Sequence, residues 1–273
     1  MCISSRLYWF LLACVGVVAV AGSDASGIVE VDLVFPRNET YAPAPIFPII
    51  FGFQNPSIAL FLNPIMLVTV WDRGNMKNSV LTMSYDLKGA NFSSGDPHLA
   101  HSGFTRFNKE GTWMLTWTVD WDSCTKDALE SPSHSRPVVN NVTDNSVIFT
   151  TRGSSQEVDL VSSTNNKDCD ETEGLTFNVT DTLNVPSRVD WSGGETCAVV
   201  ALSAPKPDPC RIKIDSAAAS SIFAAATAQI CAGTSPPISC PPEDGDANAG
   251  QRLVVGGIVC LAAGFGAIFH VFA

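Results

Sequence analysis

Residues 112–122 read TWMLTWTVDWD, and large apolar side chains occupy every second position of this stretch. A period of two is typical of an extended strand that buries one face and exposes the other. The stretch therefore predicts a half-buried β-strand. Its apolar face would carry Trp113, Leu115, Trp117, Val119 and Trp121, and its other face Met114, Thr116, Thr118, Asp120 and Asp122.

The rest of the chain repeats this signal in shorter form. Apolar or alternating runs are separated by clusters of Gly, Pro, Asn and Ser, without a regular succession of strands and helices. This organisation predicts a mainly β fold, an antiparallel β-sandwich of the immunoglobulin-like or jelly-roll-like type. Residues 57–62, between two Asn-Pro pairs, are expected to form a short helical turn. Further strands are expected at residues 28–35, 47–53, 65–71, 80–87, 147–152, 158–162, 175–183 and 197–202.

One helix is expected near residues 215–231. This segment is rich in alanine, which has the highest helix propensity, and Asp215 or Ser216 can cap its first turn. Gly233 would end the helix.

Both ends of the chain resemble processing signals. Arg6 precedes an apolar run that ends in Ala19-Val20-Ala21, so we expect residues 1–21 to be a signal peptide. Residues 253–273 are predominantly apolar and no basic residue follows them, which is typical of a GPI-anchor signal. We expect the lipid on Asn248, or alternatively on Gly245, within an acidic linker at residues 241–252. Residues 22–240 would then form a single extracellular domain.

Cysteine usage fits an oxidising compartment. Three of the nine cysteines lie in the two end segments, and an even number remains for disulfides. If the predicted helix packs antiparallel on the strand at residues 197–202, its far end returns to the start of that strand. We therefore expect Cys197 to pair with Cys231 or Cys240. Cys210 would pair with Cys124, Cys169 or the remaining one of those two.

Sequons and charge support the same setting. Four Asn-x-Ser/Thr motifs are expected to carry N-glycans, at Asn38, Asn91, Asn141 and Asn178. The net charge is −11, and the loss of residues 1–21 and of those after Asn248 would remove Arg6 and Arg252 but no acidic residue, so the remaining chain would be more acidic still. Binding of nucleic acid relies on clustered cations, and we expect none.

Three stretches carry a resemblance to a known family. They are VEVDLVFPRNETYAPAPIFPIIFGFQNPSIALFLNPIM, WTVDWDSC and ETCAVVALSAPKPDPCRIKIDSAAASSIFAAATAQIC. The chain resembles a family of secreted, commonly GPI-anchored fungal proteins that contain a domain of unknown function. The resemblance implies a fungal cell-surface setting and transfers no catalytic residues.

The chain lacks the motifs of common hydrolases and nucleotide-binding proteins, so we expect neither catalytic residues nor a cofactor. Asp120 and Asp122 have a spacing that could suit a glycosidase pair, but a solvated strand face explains them better. His98 and His101, with His134 further on, could form a weak metal site, yet loop histidines are usually only exposed. We therefore expect no metal site.

Aromatic residues offer a stronger alternative, because their ring faces can stack on sugars. The tryptophans of residues 112–122 are interspersed with aliphatic residues, which favours a role in the core. Trp71 and Trp191 lie beside Gly-containing turns and are the candidates for glycan contact. We expect a non-enzymatic surface protein with a structural or interaction role. A glycan-binding module is the alternative, and a glycoside hydrolase-like enzyme is third. Expected partners are cell-wall polysaccharide or surface proteins, and the membrane through a lipid.

Overall fold

The computed structural model describes residues 25–88, 90, 92, 95–130, 136–165, 169 and 173–241. The expected signal peptide, anchor signal and both candidate attachment residues lie outside these ranges, as do Asn91 and His134. The described residues form two five-stranded sheets and four α-helices. Among them, no helix is both long enough and apolar enough to cross a membrane.

The first sheet, sheet A, is antiparallel and has the strand order β10–β9–β1–β3–β6. Two strands in the middle of this sheet are buried on both faces. They are β1, which contains VEVDLVF, and β3, which contains FPIIFGF. The strands are β1 (Gly27–Phe35), β3 (Phe47–Gln54), β6 (His98–Phe104), β9 (Gly174–Asn184) and β10 (Thr196–Val200).

The second sheet, sheet B, has the order β2–β8–β7–β4–β5 and is antiparallel except for the short β2–β8 pair. The predicted antiparallel β-sandwich is thus confirmed. Its strands are β2 (Thr40–Tyr41), β4 (Ile65–Asp72), β5 (Asn75–Asp86), β7 (Gly111–Cys124) and β8 (Val138–Thr151).

The core lies between the sheets and is rich in aromatic rings. From β7, Trp113, Leu115, Trp117 and Val119 are buried, as their alternation predicts. Trp117 meets Phe51 of sheet A at a ring distance of 5.8 Å. The alternation ends after Val119, because Trp121 is half-buried whereas Asp122 and Cys124 are buried.

Three of the four described helices contact strands of sheet A. Helix α4 (Ser216–Cys231) packs on β6, where Gly103 gives it room, since a Cβ there would lie 2.4 Å from that of Ala226. Asp215 caps this helix through the amide of Ala218, as expected. The shorter helices are α1 (Pro56–Ala59), α2 (Lys126–Glu130) and α3 (Leu160–Thr164).

Two local predictions have different outcomes. The helical turn at residues 57–62 is confirmed, because α1 continues into a 3-10 turn at Leu60–Leu62. The strand predicted at residues 158–162 is wrong, because this segment enters α3. Asp159 caps α3 by accepting from the amides of Val161 and Ser162, and this local cap outweighs the β-propensity of the valines.

The predicted pairing of Cys197 with Cys231 or Cys240 is also wrong. The disulfides are Cys124–Cys197, Cys169–Cys210 and Cys231–Cys240. Helix α4 packs on β6, whereas Cys197 lies on β10 at the opposite edge of sheet A. Neighbouring strands are about 4.8 Å apart, so three intervening strands keep the helix end away from Cys197. The Cys169–Cys210 bond is one of the alternatives left open by the sequence.

Candidate functional site

The outward side chains of sheet B form an exposed surface, here called the open face. It consists of alternate residues of β5, β4, β7 and β8, which the strand register arranges in rows across the sheet. The first row is Ser79, Trp71, Met114 and Ile148. The second is Thr82, Thr69, Thr116 and Ser146, and the third is Ser84, Leu67, Thr118 and Asp144.

The first row gives the open face an apolar end. Trp71 is half-buried and lies between Ser79 on β5 and Met114 on β7. Its strand ends in a turn in which the amide of Gly74 donates to Oδ1 of Asp72 over 2.8 Å. Because β4 alternates, Trp71 has the opposite orientation from the buried Val70. Trp71 thus presents an aromatic ring outside the core.

The second and third rows present hydroxyl groups. Facing residues on neighbouring strands are about 5 Å apart and successive outward residues on one strand about 7 Å apart. The Thr116 hydroxyl donates to the Thr69 carbonyl over 3.3 Å. Thr82, Ser84 and Ser146 are exposed, and Leu67 is 42 % exposed. The open face therefore combines one aromatic ring with several groups that can donate and accept hydrogen bonds.

Trp191, the other candidate for glycan contact, has a different environment. It packs against the small hydrophobic cluster around the Cys124–Cys197 disulfide. Its Nε1 donates to Oδ2 of Asp122 over 2.9 Å. Gly193 lies so close to the ring that a Cβ would be 2.1 Å from it. The structure therefore does not bring Trp191 and Trp71 together on one surface.

The two candidate carboxylates of β7 are not equivalent. Asp122 is only 7 % exposed and accepts hydrogen bonds from the side chains of Asn63, Asn140 and Trp191. These bonds connect β7 with β8, the 3-10 turn and the loop after β9. Asp120 is half-buried and lies opposite Ile65 and Val142. Asp122 is thus engaged in holding the fold.

His98 and His101 also have separate environments. They are three residues apart on β6, so their side chains leave opposite faces of the strand. His98 is buried beside Phe92, at a ring distance of 5.0 Å, and burial lowers its pKa. Burial and the neighbouring His98 lower the pKa of His101. Among the described residues, no group of three potential metal ligands is found.

The described sequons differ in exposure. Asn38 is exposed in the connection between β1 and β2. Asn141 lies on β8 and donates to the Ser123 hydroxyl and the Val139 carbonyl, both over 3.0 Å. Asn178 lies on β9, and its amide donates to the carbonyl of Ser203 over 3.4 Å.

Sequence reasoning missed a buried polar cluster on the helix-covered face of sheet A. Glu30 and Asp32 of β1 are 5 % and 0 % exposed, although acidic residues that alternate with valines usually mark a solvent face. Burial, together with the neighbouring Glu30, raises the pKa of Asp32 to about 9. Nearby, buried Arg37 forms an ion pair with Glu173 over 2.8 Å.

Fold and side chains together define a disulfide-linked β-sandwich with one open sheet face. The chain belongs to a family defined by a domain of unknown function, DUF7136, which matches residues 24–240. No curated protein and no solved structure matches the chain.

Proposed function

We propose that this chain is a secreted, N-glycosylated fungal surface protein with an interaction role rather than an enzymatic one, anchored by a GPI lipid. The signal-like first 21 residues and the apolar tail support this location. All six cysteines between these segments are in disulfides, as is usual in an oxidising compartment. The anchor would hold the domain at the plasma membrane or be transferred to the cell wall.

We infer that the open face binds cell-wall polysaccharide. The observation that carries this proposal is the position of Trp71 beside two rows of hydroxyl groups, of which Thr82, Ser84 and Ser146 are exposed. The ring face can stack on the apolar face of a sugar. The hydroxyls of Thr69 and Thr116 can exchange hydrogen bonds with those of the ligand.

The charge of the open face favours an uncharged glycan. Its fourth row contains Asp86 and Asp120, and the third ends in Asp144. Carboxylates accept hydrogen bonds from sugar hydroxyls and repel anionic polymers. Neutral polymers such as glucan, chitin or mannan are therefore the proposed ligand class.

Co-sedimentation with insoluble polysaccharide tests this function. The secreted protein is mixed with glucan, chitin or mannan, and the bound fraction is measured for the wild type and Trp71→Ala. Stacking contributes about 1 kcal/mol or more, so we expect the affinity of Trp71→Ala to fall by about fivefold or more. Leu202→Ala, at an exposed site outside the open face, is the matched control.

Two outcomes of this assay would contradict the proposal. One is a wild type that binds none of the three polymers, and the other is equal binding by Trp71→Ala and the wild type. Unchanged circular dichroism and thermal midpoint of Trp71→Ala would show that a loss of binding is not a loss of fold.

Release from intact cells tests the location. We expect phosphatidylinositol-specific phospholipase to release the membrane-held protein, and glucanase to release any protein transferred to the wall. A chain that ends at Asn248 should be secreted freely. Its retention in membranes would contradict the proposed anchor.

A further inference from the structure

A segment at residues 203–210, here called the strap, crosses the face of sheet A that points away from sheet B. It passes over the row Gly52–Asp32–Gly174, in which glycines flank the aspartate on both neighbouring strands. A Cβ at position 174 would lie 2.5 Å from Pro207, and one at position 52 would lie 2.1 Å from Ile212, just beyond the strap. The two glycines thus allow the chain to lie directly on the sheet and bury Asp32.

Polar contacts hold the strap on sheet A at several points. Thr176 donates to the carbonyl of Pro205, and Asn178 donates to that of Ser203. The amide of Asp208 donates to Oε1 of Glu30. The last strap residue, Cys210, is bonded to Cys169. Glu30 is therefore the acceptor that holds the strap at Asp208, near its disulfide-bonded end.

Glu30 lies beside a second buried carboxyl group, that of Asp32. The two residues are two positions apart on the same face of β1, and Nε2 of Gln54 donates to Oδ2 of Asp32 over 2.8 Å. No N–H or O–H donor among the described residues reaches Oδ1 of Asp32. A fully buried carboxyl group with an unpartnered oxygen beside a second carboxyl group is costly to ionise, so Asp32 keeps its proton while the strap covers it.

The charged groups around Asp32 do not remove its need for a proton. Glu30 raises the pKa of Asp32 and Arg37 lowers it, and Arg37 is itself paired with Glu173. The neighbouring positions on β3 and β9 are glycine, Gln54 and Thr176, which do not titrate. The strap adds Lys206 and Asp208, whose side chains are exposed.

We propose that the strap is a pH-dependent latch, closed over sheet A while Asp32 is protonated and released when Asp32 loses its proton. Two adjacent carboxylates in a site without water repel each other. Lifting the strap admits water to both at the expense of a few hydrogen bonds. The Cys169–Cys210 bond keeps the end of the strap attached, so the opening is local.

Hydrogen exchange of the full chain tests the latch. Exchange is followed by mass spectrometry from about pH 6 to about pH 10 and expressed as protection relative to the intrinsic rate at each pH. We expect protection of the Asp208 amide, the strap N–H that donates to Glu30, to fall about tenfold or more near pH 9, while peptides of β3 stay protected. Unchanged strap protection across this range would overturn the proposal, as would simultaneous loss of protection in β3.

Two variants separate the pair from other titrating groups. Asp32→Asn retains a donor and an acceptor without an ionisable group, and we expect its strap to stay protected to about pH 10. Glu30→Gln removes the second carboxyl group beside Asp32, and we expect its strap to stay protected over the same pH range. This variant keeps the test decisive if Asp32→Asn does not fold. Asp144→Asn removes an exposed carboxylate of the open face and should follow the wild type. Equal loss of protection in the wild type and in the folded pair variants would overturn the latch.

Discussion

The indole Nε1 of Trp191 donates a hydrogen bond to Oδ2 of Asp122 over 2.9 Å. Asp122 also accepts from Nδ2 of Asn63 over 2.6 Å and from Nδ2 of Asn140 over 3.1 Å. A buried carboxylate is costly unless donors surround it, and here three donors come from three parts of the chain. The pair therefore joins the loop after β9 to the end of β7.

Replacement of Trp191 should lower stability. Trp191→Phe keeps a ring but removes the N–H donor from Asp122, and we expect a loss of about 1 kcal/mol. Trp191→Ala also removes packing on the Cys124–Cys197 cluster, and the loss should reach about 2–3 kcal/mol. Urea unfolding measures both values, with Leu202→Ala as a surface control. A free energy of unfolding unchanged in Trp191→Ala would show that this pair does not support the fold.

The sequence predicts the sandwich well because period-two alternation directly reports a half-buried strand. It places Trp113 and Trp117 correctly in the core. It does not predict that Asp122 is buried, because the covering residues Asn63 and Trp191 are distant along the chain. The disulfide prediction was wrong for a similar reason: the edge on which α4 packs depends on the strand order of the whole sheet.

The candidate site was predicted only in part. Trp71 lies on an outward face, as its position beside a turn indicates. The rows of hydroxyls beside it come from four strands, β5, β4, β7 and β8, whose mutual register no local pattern specifies. Asp32 was missed because acidic residues that alternate with valines indicate solvent exposure, whereas here the strap covers them.

The pH dependence of stability should reflect Asp32. Burial raises the pKa of Asp32 to about 9 in the folded protein, above its ordinary value of 3.8. The folded state therefore binds the proton more tightly, and this contribution to stability is complete below pH 3.8 and is lost as pH rises towards 9. At neutral pH, Asp32→Asn should stabilise the protein by about 2–4 kcal/mol.

Urea unfolding at several pH values, compared between the wild type and Asp32→Asn, measures this effect. The gain in the free energy of unfolding from Asp32→Asn should shrink as the pH is lowered. It should vanish at a pH of about 4, to about one pH unit. A gain that is constant with pH would contradict a raised pKa of Asp32. Asp144→Asn again provides the control for the removal of one charge.

The three disulfides should differ in their effect on stability. Cys124–Cys197 closes a separation of 73 residues, whereas Cys231–Cys240 closes one of 9. In the chain-entropy description, the longer loop contributes about 2 kcal/mol more. Unfolding of the Cys124→Ala/Cys197→Ala and Cys231→Ala/Cys240→Ala variants should show this order. Equal losses would mean that chain entropy does not dominate.

Glycosylation should be tolerated best at Asn38. Its side chain is exposed, so a glycan there displaces no described contact, whereas a glycan on Asn141 replaces one of the two Nδ2 hydrogens that donate to Ser123 and Val139. Intact mass before and after deglycosylation should show high occupancy of Asn38. Asn38→Gln should remove one glycan and change the thermal midpoint little. An unoccupied Asn38 in secreted protein would contradict this expectation.

The most direct test of the account is the footprint of a soluble oligosaccharide on the protein. Nuclear magnetic resonance spectra are recorded while fragments of glucan, chitin and mannan are added in turn. The account predicts that one of these sugars shifts the Trp71 indole signal and the amides of Thr69 and Thr116, and leaves the Trp191 indole unchanged. Shifts centred away from the open face, or none with any of the three sugars, would contradict it.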